Sequence, residues 1–212
     1  MCFFPRPFVV HVDNGCEFIL NIFYLSKDWE VCAQYHCDKH VVKMCIEYAQ
    51  LLSTAHRVLD GEPYTDLTAN GRKIKRWRLD KYDDEIYKAC HVNHPSAVWT
   101  RESQANYVWL YCLWSELADE YTHRYGKEHE CFRKLGGILC FPPKNIWVGT
   151  GMHDMTEPPP AMKQYPQCIV PGDSIKSYHN YYRVAKVSFA KWKNRSIPTF
   201  MNKEVWCGNQ NV

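Results

Sequence analysis

The 212-residue chain has no CxxC pair among its 11 cysteines, no apolar run of membrane length, and little net charge. Each shortage removes a class of protein. Zinc knuckles and thioredoxin-type redox sites need closely paired cysteines. An odd, irregularly spaced set reads instead as free thiols in a reducing compartment, without a structural disulfide network. A membrane helix needs about 18 consecutive apolar residues. The N-terminal MCFFPRPFVVHVDNG is broken by Pro5, Pro7, His11 and Asp13 and does not read as a secretory signal. A net charge of +3 permits a phosphate-bearing partner without demanding one.

Familiar chemical signatures are missing as well. The chain has no GxxxxGK[ST], no GxGxxG, no GxSxG and no HxE…PCxxC pattern. The usual sequence basis for P-loop, dinucleotide-binding, hydrolase-elbow and zinc-deaminase readings is therefore absent.

What is present is mostly helical patterning. Residues 1–18 read as an N-terminal extension, and residues 19–212 as a single mostly α-helical domain. Asn21–Leu25 reads as a short strand element near the N-terminus. Ser26 then caps a helix starting near Asp28. Further helices are predicted for Gln34 to Arg57, Asp83 to Cys90, Pro95 to Tyr125 (ended by Gly126), and Asp173 to Asn194. Residues 62–81 read as a loop holding GRKIKRWRLDK, six of whose eleven residues are cationic. Residues 126–171, rich in Gly and Pro, read as loop.

The most informative stretch is QYHCDKHVVKMCIEYAQLLSTAHR. Wound at about 100° per residue, it puts His36, His40, Lys43, Glu47, Gln50, Thr54 and Arg57 on one stripe. Two histidines followed by Lys and Glu suit anion binding or proton movement. His36 and His40 at i, i+4 would also suit a metal, with His91 or His94 as a third ligand. HxxxH without the Glu of HExxH is weak evidence, so no metal is assigned and no cofactor is named. Asn106 and Arg124 lie on an otherwise apolar helix face and must be paired, Asn106 most simply by internal hydrogen bonds. Arg101 suits a phosphate or carboxylate, or a surface ion pair. Tyr178, Tyr181, Tyr182, Ala185, Phe189 and Trp192 form an aromatic stripe, read first as core. It is bordered by Lys186 and Lys193, with Arg183 further round.

The segments AQYHCDKHVVKM (33–44), AQLLSTAHR (49–57), HVNHPSAVWTRESQANYVWL (91–110), DEYTHRYGK (119–127), PPPAM (158–162) and YYRVAKVSFAKWKNR (181–195) resemble a family of small, functionally uncharacterised tailed-bacteriophage proteins. Members of that family begin close to Asn21. The resemblance implies a viral protein in the host bacterial cytoplasm, where nucleotide metabolism, genome modification and evasion of host defence are common tasks. It implies no catalytic residue.

The expected function is binding of a nucleotide, or a nucleotide unit of DNA, in one cleft. Phosphodiester or nucleotide hydrolysis and N-glycosidic cleavage both fit its groups. His36 or His40 would act as general acid/base with Glu47 assisting. Lys43, Arg57, His91, His94, Arg101, Tyr182, Arg183 and Lys186 would hold the ligand. The alternative is a non-catalytic binder that sequesters a nucleotide signal or a host protein. A structural virion part is a third reading. No membrane partner is expected, and the oligomeric state is not encoded in any pattern seen.

Overall fold

The computed structural model describes residues 20–151 and 154–202. The extension read over residues 1–18 lies outside them. Six α-helices and one two-stranded sheet, with short 3-10 and π turns toward the C-terminus, make up the regular structure of the described residues.

Two long helices form the centre: α2 (Asp38–Asp60) and α4 (Gln104–Tyr125). Their apolar faces meet around Val41, Cys45, Tyr48, Leu52, Leu110, Leu113, Trp114 and Leu117, all fully buried. The Trp114 indole donates to the Cys45 carbonyl at 2.7 Å, which satisfies the ring nitrogen and fixes α4 against α2. The short α1 (Trp29–Tyr35) packs on α4, while α3 (Pro95–Glu102) and α5 (Glu130–Leu139) pack on α2. Near the C-terminus α6 (Ser174–Tyr181) runs into a π-helical turn, Tyr182–Lys186. Leu20–Leu25 threads through the core without regular structure, and the Phe23 ring contacts His36, His40, Tyr178, Tyr181 and Tyr182.

The mostly α-helical domain is as the sequence predicts. Several local features differ, each for a tertiary reason. The helix expected from Gln34 to Arg57 is broken at His36 and Cys37, which are extended. The His36 side chain bonds back to the Cys32 carbonyl, and the Asp38 amide is taken by the Lys191 carbonyl. Asp28 rather than Ser26 caps α1, accepting from the Val31 amide at 2.9 Å. The helix expected from Pro95 to Tyr125 is two helices. Ser103 is extended there, and its Oγ accepts from the Asn106 amide as an N-cap.

The loop expected over residues 62–81 is an antiparallel hairpin, β1 (Glu62–Leu67) and β2 (Lys73–Arg78). Its register sets Glu62 opposite Arg78 and Leu67 opposite Lys73. The helix expected from Asp83 to Cys90 is absent. Arg57 takes the carbonyls of Asp83, Ile86 and Tyr87, the first two of which a helix would need for itself. Within 126–171 lies α5, which includes Gly136 and Gly137. The Phe132 ring passes so close to Gly136 that an added Cβ would meet it at 3.3 Å. The last helix is α-helical only to Tyr181.

Ion pairing inside the fold is concentrated on Arg124. It reaches Glu120 at 2.6 Å, Asp38 at 2.8 Å and the Gln34 carbonyl at 3.0 Å, while Arg195 bonds the same Glu120. Four elements are tied by this one buried network. Asn106 also finds its partners inside, in Trp99 and Thr156.

Candidate functional site

The sequence-predicted residues separate into structural groups and one surface cluster. His36 is structural. It has no exposure, and both ring nitrogens are used: Nδ1 lies 2.7 Å from the Cys32 carbonyl and Nε2 3.0 Å from the Tyr48 hydroxyl. A carbonyl only accepts, so Nδ1 carries the proton and Nε2 accepts from Tyr48. Burial pulls the His36 pKa down to about 4. The expected catalytic role for His36 is thereby corrected: the ring is a neutral brace between α1 and α2.

Arg57 is also structural. Its five N–H donors are all spent on Tyr87, Trp77, the Asp83 side chain, the Asp83 backbone and Ile86, at 2.6 to 3.1 Å. None is left for phosphate, which corrects the expectation. Arg183 holds the Phe200 carbonyl at 2.6 Å and Asn180 at 3.1 Å, and Arg101 folds back onto the Ala97 carbonyl at 2.7 Å. Both guanidinium groups serve local structure rather than a shared cleft. His94 is the N-cap of α3, its Nδ1 accepting from the Ser96 amide. His91 is exposed, with a left-handed φ of 47°. Among the described residues neither histidine touches His40. Their segment is nonetheless pinned to α2, because Thr54 Oγ1 bonds the Cys90 backbone.

The cluster that remains sits where the start of α2 meets the π turn: His40, Lys43, Glu47, Tyr182 and Lys186. His40 stacks on Phe23 at 4.2 Å between ring centres and keeps 6% of its surface exposed. Its Nδ1 lies 2.6 Å from the Tyr182 hydroxyl. Burial holds the Tyr182 phenol well above its usual range, so it stays protonated. The buried hydroxyl needs an acceptor, and Nδ1 supplies it. His40 must then carry its own proton on Nε2. Burial, with the positive charges of Lys186 and Lys43 after it, holds the imidazole neutral, well below its usual pKa.

Lys43 Nζ sits 2.8 Å from Glu47 Oε1. Glu47 is buried, and its Oε2 finds no donor among the described residues. Burial pushes the Glu47 pKa up, and Lys43 partly offsets this. Lys186 lies over the Tyr181 ring at 4.5 Å, and Lys39 over Phe189 at 4.7 Å. Cations therefore gather along one edge from α2 and from the π turn. A π-helical turn is an uncommon conformation that recurs at functional sites.

Chemically, the cluster offers an N–H donor on a neutral ring, ammonium groups beside it, and a buried acceptor oxygen. Its donors suit an anion. Among the described residues no group of three or more His, Cys, Asp or Glu side chains is placed to hold a metal ion, and the eight described cysteines are free thiols. No described helix is long and apolar enough to cross a membrane. A cavity of about 470 Å³ opens at the opposite end of α2, lined by none of the sequence-predicted residues. Comparison with family models, curated proteins and solved structures finds no match.

Proposed function

We propose that this chain binds a phosphate-bearing ligand, a nucleotide or a nucleotide unit of DNA, at the His40–Lys43–Glu47–Lys186 cluster. The supporting observation is convergence: Lys43 from α2 and Lys186 from the π turn both act on one buried, Tyr182-held imidazole. Phosphate oxygens would accept from His40 Nε2–H and the ammonium groups. Glu47 would hold the Lys43 ammonium in place beside the ligand through the 2.8 Å ion pair. A neutral imidazole that presents N–H outward is a donor rather than a proton acceptor. Binding therefore stands ahead of hydrolysis or N-glycosidic cleavage, and a non-catalytic binder that sequesters a nucleotide is the reading this tautomer favours. In the phage setting implied by the resemblance, such a binder suits evasion of a nucleotide-signalled defence.

The test is calorimetric titration with inorganic phosphate and with mono-, di- and cyclic nucleotides, comparing wild type with Lys43→Ala/Lys186→Ala. Affinity should fall with added salt and vanish in the double variant, with the unfolding midpoint little changed. A wild type that binds none of these at low salt sinks the reading, and the host-protein alternative takes its place.

A further inference from the structure

The second surface of interest is the hairpin at the far end of α2. Five cations, Arg72, Lys73, Lys75, Arg76 and Arg78, stand against two acids, Glu62 and Asp66, within residues 62–78. That surplus equals the net charge of the whole chain, +3, so the rest of the molecule is balanced. The pairing register alternates the side chains. Lys73, Lys75 and Trp77 share one face; Ile74, Arg76 and Arg78 share the other. Rings lie under cations on both: Lys75 over Trp77 at 5.0 Å, and Arg78 over Tyr64 at 5.1 Å. Arg72, Lys73 and Lys75 are exposed.

Directly after β2 the chain turns to line the cavity of about 470 Å³, a volume within the range of small-ligand pockets. Leu79, Ile86 and Ile138 form part of its wall. Two lining aromatic residues stay open to solvent, Tyr82 at 49% and Phe141 at 71%, with Lys81 and Lys144 beside them. Tyr82 has φ of 63°, which a bulky side chain rarely adopts. The cost is borne next to Asp83, which Arg57 and the Leu79 amide hold in place.

We propose that the hairpin and this cavity form a binding surface for single-stranded nucleic acid. Phosphates would run along Arg72, Lys73 and Lys75, and one unpaired base would enter the cavity against Tyr82 and Phe141. Cations interleaved with stacking rings are what a single strand requires. A base within a duplex is already stacked and does not reach such a pocket. The centre of a protein interface is depleted of charge, which argues against a protein partner here. His40 and Arg57 are 17 positions apart on α2, about 25 Å along the axis. The proposal therefore stands apart from the nucleotide reading of the His40 cluster.

The experiment is fluorescence anisotropy with a labelled 12-nucleotide thymidine strand, the same backbone without bases, and a duplex of equal length. Wild type should prefer the base-bearing single strand. Arg72→Ala/Lys73→Ala/Lys75→Ala should lose about tenfold or more, and its log–log salt dependence should flatten by about 2, at about 0.7 per lost phosphate contact. Tyr82→Ala/Phe141→Ala should lose about tenfold on the base-bearing strand and nothing on the abasic one. Phe141→Ser, at a highly exposed position, repeats that arm should the Tyr82 change disturb folding. Lys43→Ala/Lys186→Ala should bind the strand as wild type does. The proposal is overturned by no wild-type binding at low salt, by tighter binding of the duplex, or by loss that follows Lys43 and Lys186 instead of the hairpin.

Discussion

The two ends of α2 handle polar groups in opposite ways. At its start, among the described residues, His40 is bonded through one nitrogen only, and Glu47 keeps an oxygen without a donor. At its end, Arg57 spends every donor inside the protein. Both ends are buried and both carry residues that a sequence reader would assign to a ligand. Among the described residues, the start leaves hydrogen-bonding capacity unspent where Arg57 leaves none. The contrast separates a buried polar residue that organises its surroundings from one that is organised by them. Arg57 shapes residues 77–87 and so positions the hairpin and the Tyr82 turn. His40 is instead placed by Phe23 and Tyr182, elements far away in the chain.

Four changes sharpen or break this comparison. The largest effect is expected for Arg57→Met. It strands Asp83 and the carbonyls of Trp77, Asp83, Ile86 and Tyr87, at a cost of about 3–5 kcal/mol, read by urea unfolding. Hydrogen exchange should rise first in residues 62–90. A loss below 1 kcal/mol would mean that Arg57 is not the organiser.

Acid comes next. Unfolded histidine titrates near 6.5, whereas folded His36 titrates near 4. Above pH 6.5 both states are neutral and the full stability is present. As pH falls from there toward 4, the unfolded chain takes up a proton that the folded protein refuses, so stability falls. Between pH 7.5 and 5 the His36 share is about 2 kcal/mol, and His40 acts in the same direction. His36→Gln should lower stability at pH 7.5 and flatten its decline with acid. A flat profile in the wild type contradicts the neutral brace.

Tyr182→Phe removes one buried hydroxyl and should cost about 1 kcal/mol. It should also release the His40 tautomer, visible as a changed ring-nitrogen signal. The smallest effect is expected for Arg72→Ala/Lys73→Ala, within about 0.5 kcal/mol of wild-type stability, because exposed cations contribute little to folding. A large destabilisation there would make the hairpin a folding element rather than a surface for a ligand.

Helical periodicity located most of α2, α4 and α6, because their apolar faces are continuous. It placed His40, Lys43 and Glu47 together correctly, since these lie within one unbroken helix. It failed where a side chain competes with the backbone. Nothing in the angular pattern shows that His36 bonds back to Cys32, or that Arg57 captures carbonyls thirty residues away. A stripe gives the direction of a side chain, not whether solvent or another element lies there. Tyr182 was legible as part of an aromatic stripe and Lys186 as its border, but the meeting of Tyr182 with His40 across 142 positions was not. The hairpin did carry a signal. Asn70-Gly71 sits between Tyr64-Thr65 and Ile74–Trp77, and Gly71 adopts φ of 74°. Charge on both faces of KIKRWR hid the usual alternation of apolar and polar residues. The cavity beside it left no trace, because its lining comes from three separate segments.

The central claim is that His40 is a neutral donor poised for an anion. Nitrogen-15 NMR of the histidine rings at pH 7 tests it most directly. The account predicts a neutral His40 with its proton on Nε2, whose resonance shifts when inorganic phosphate is added and stays still in Lys43→Ala/Lys186→Ala. A charged ring, a proton on Nδ1, or a wild-type signal indifferent to phosphate would contradict it.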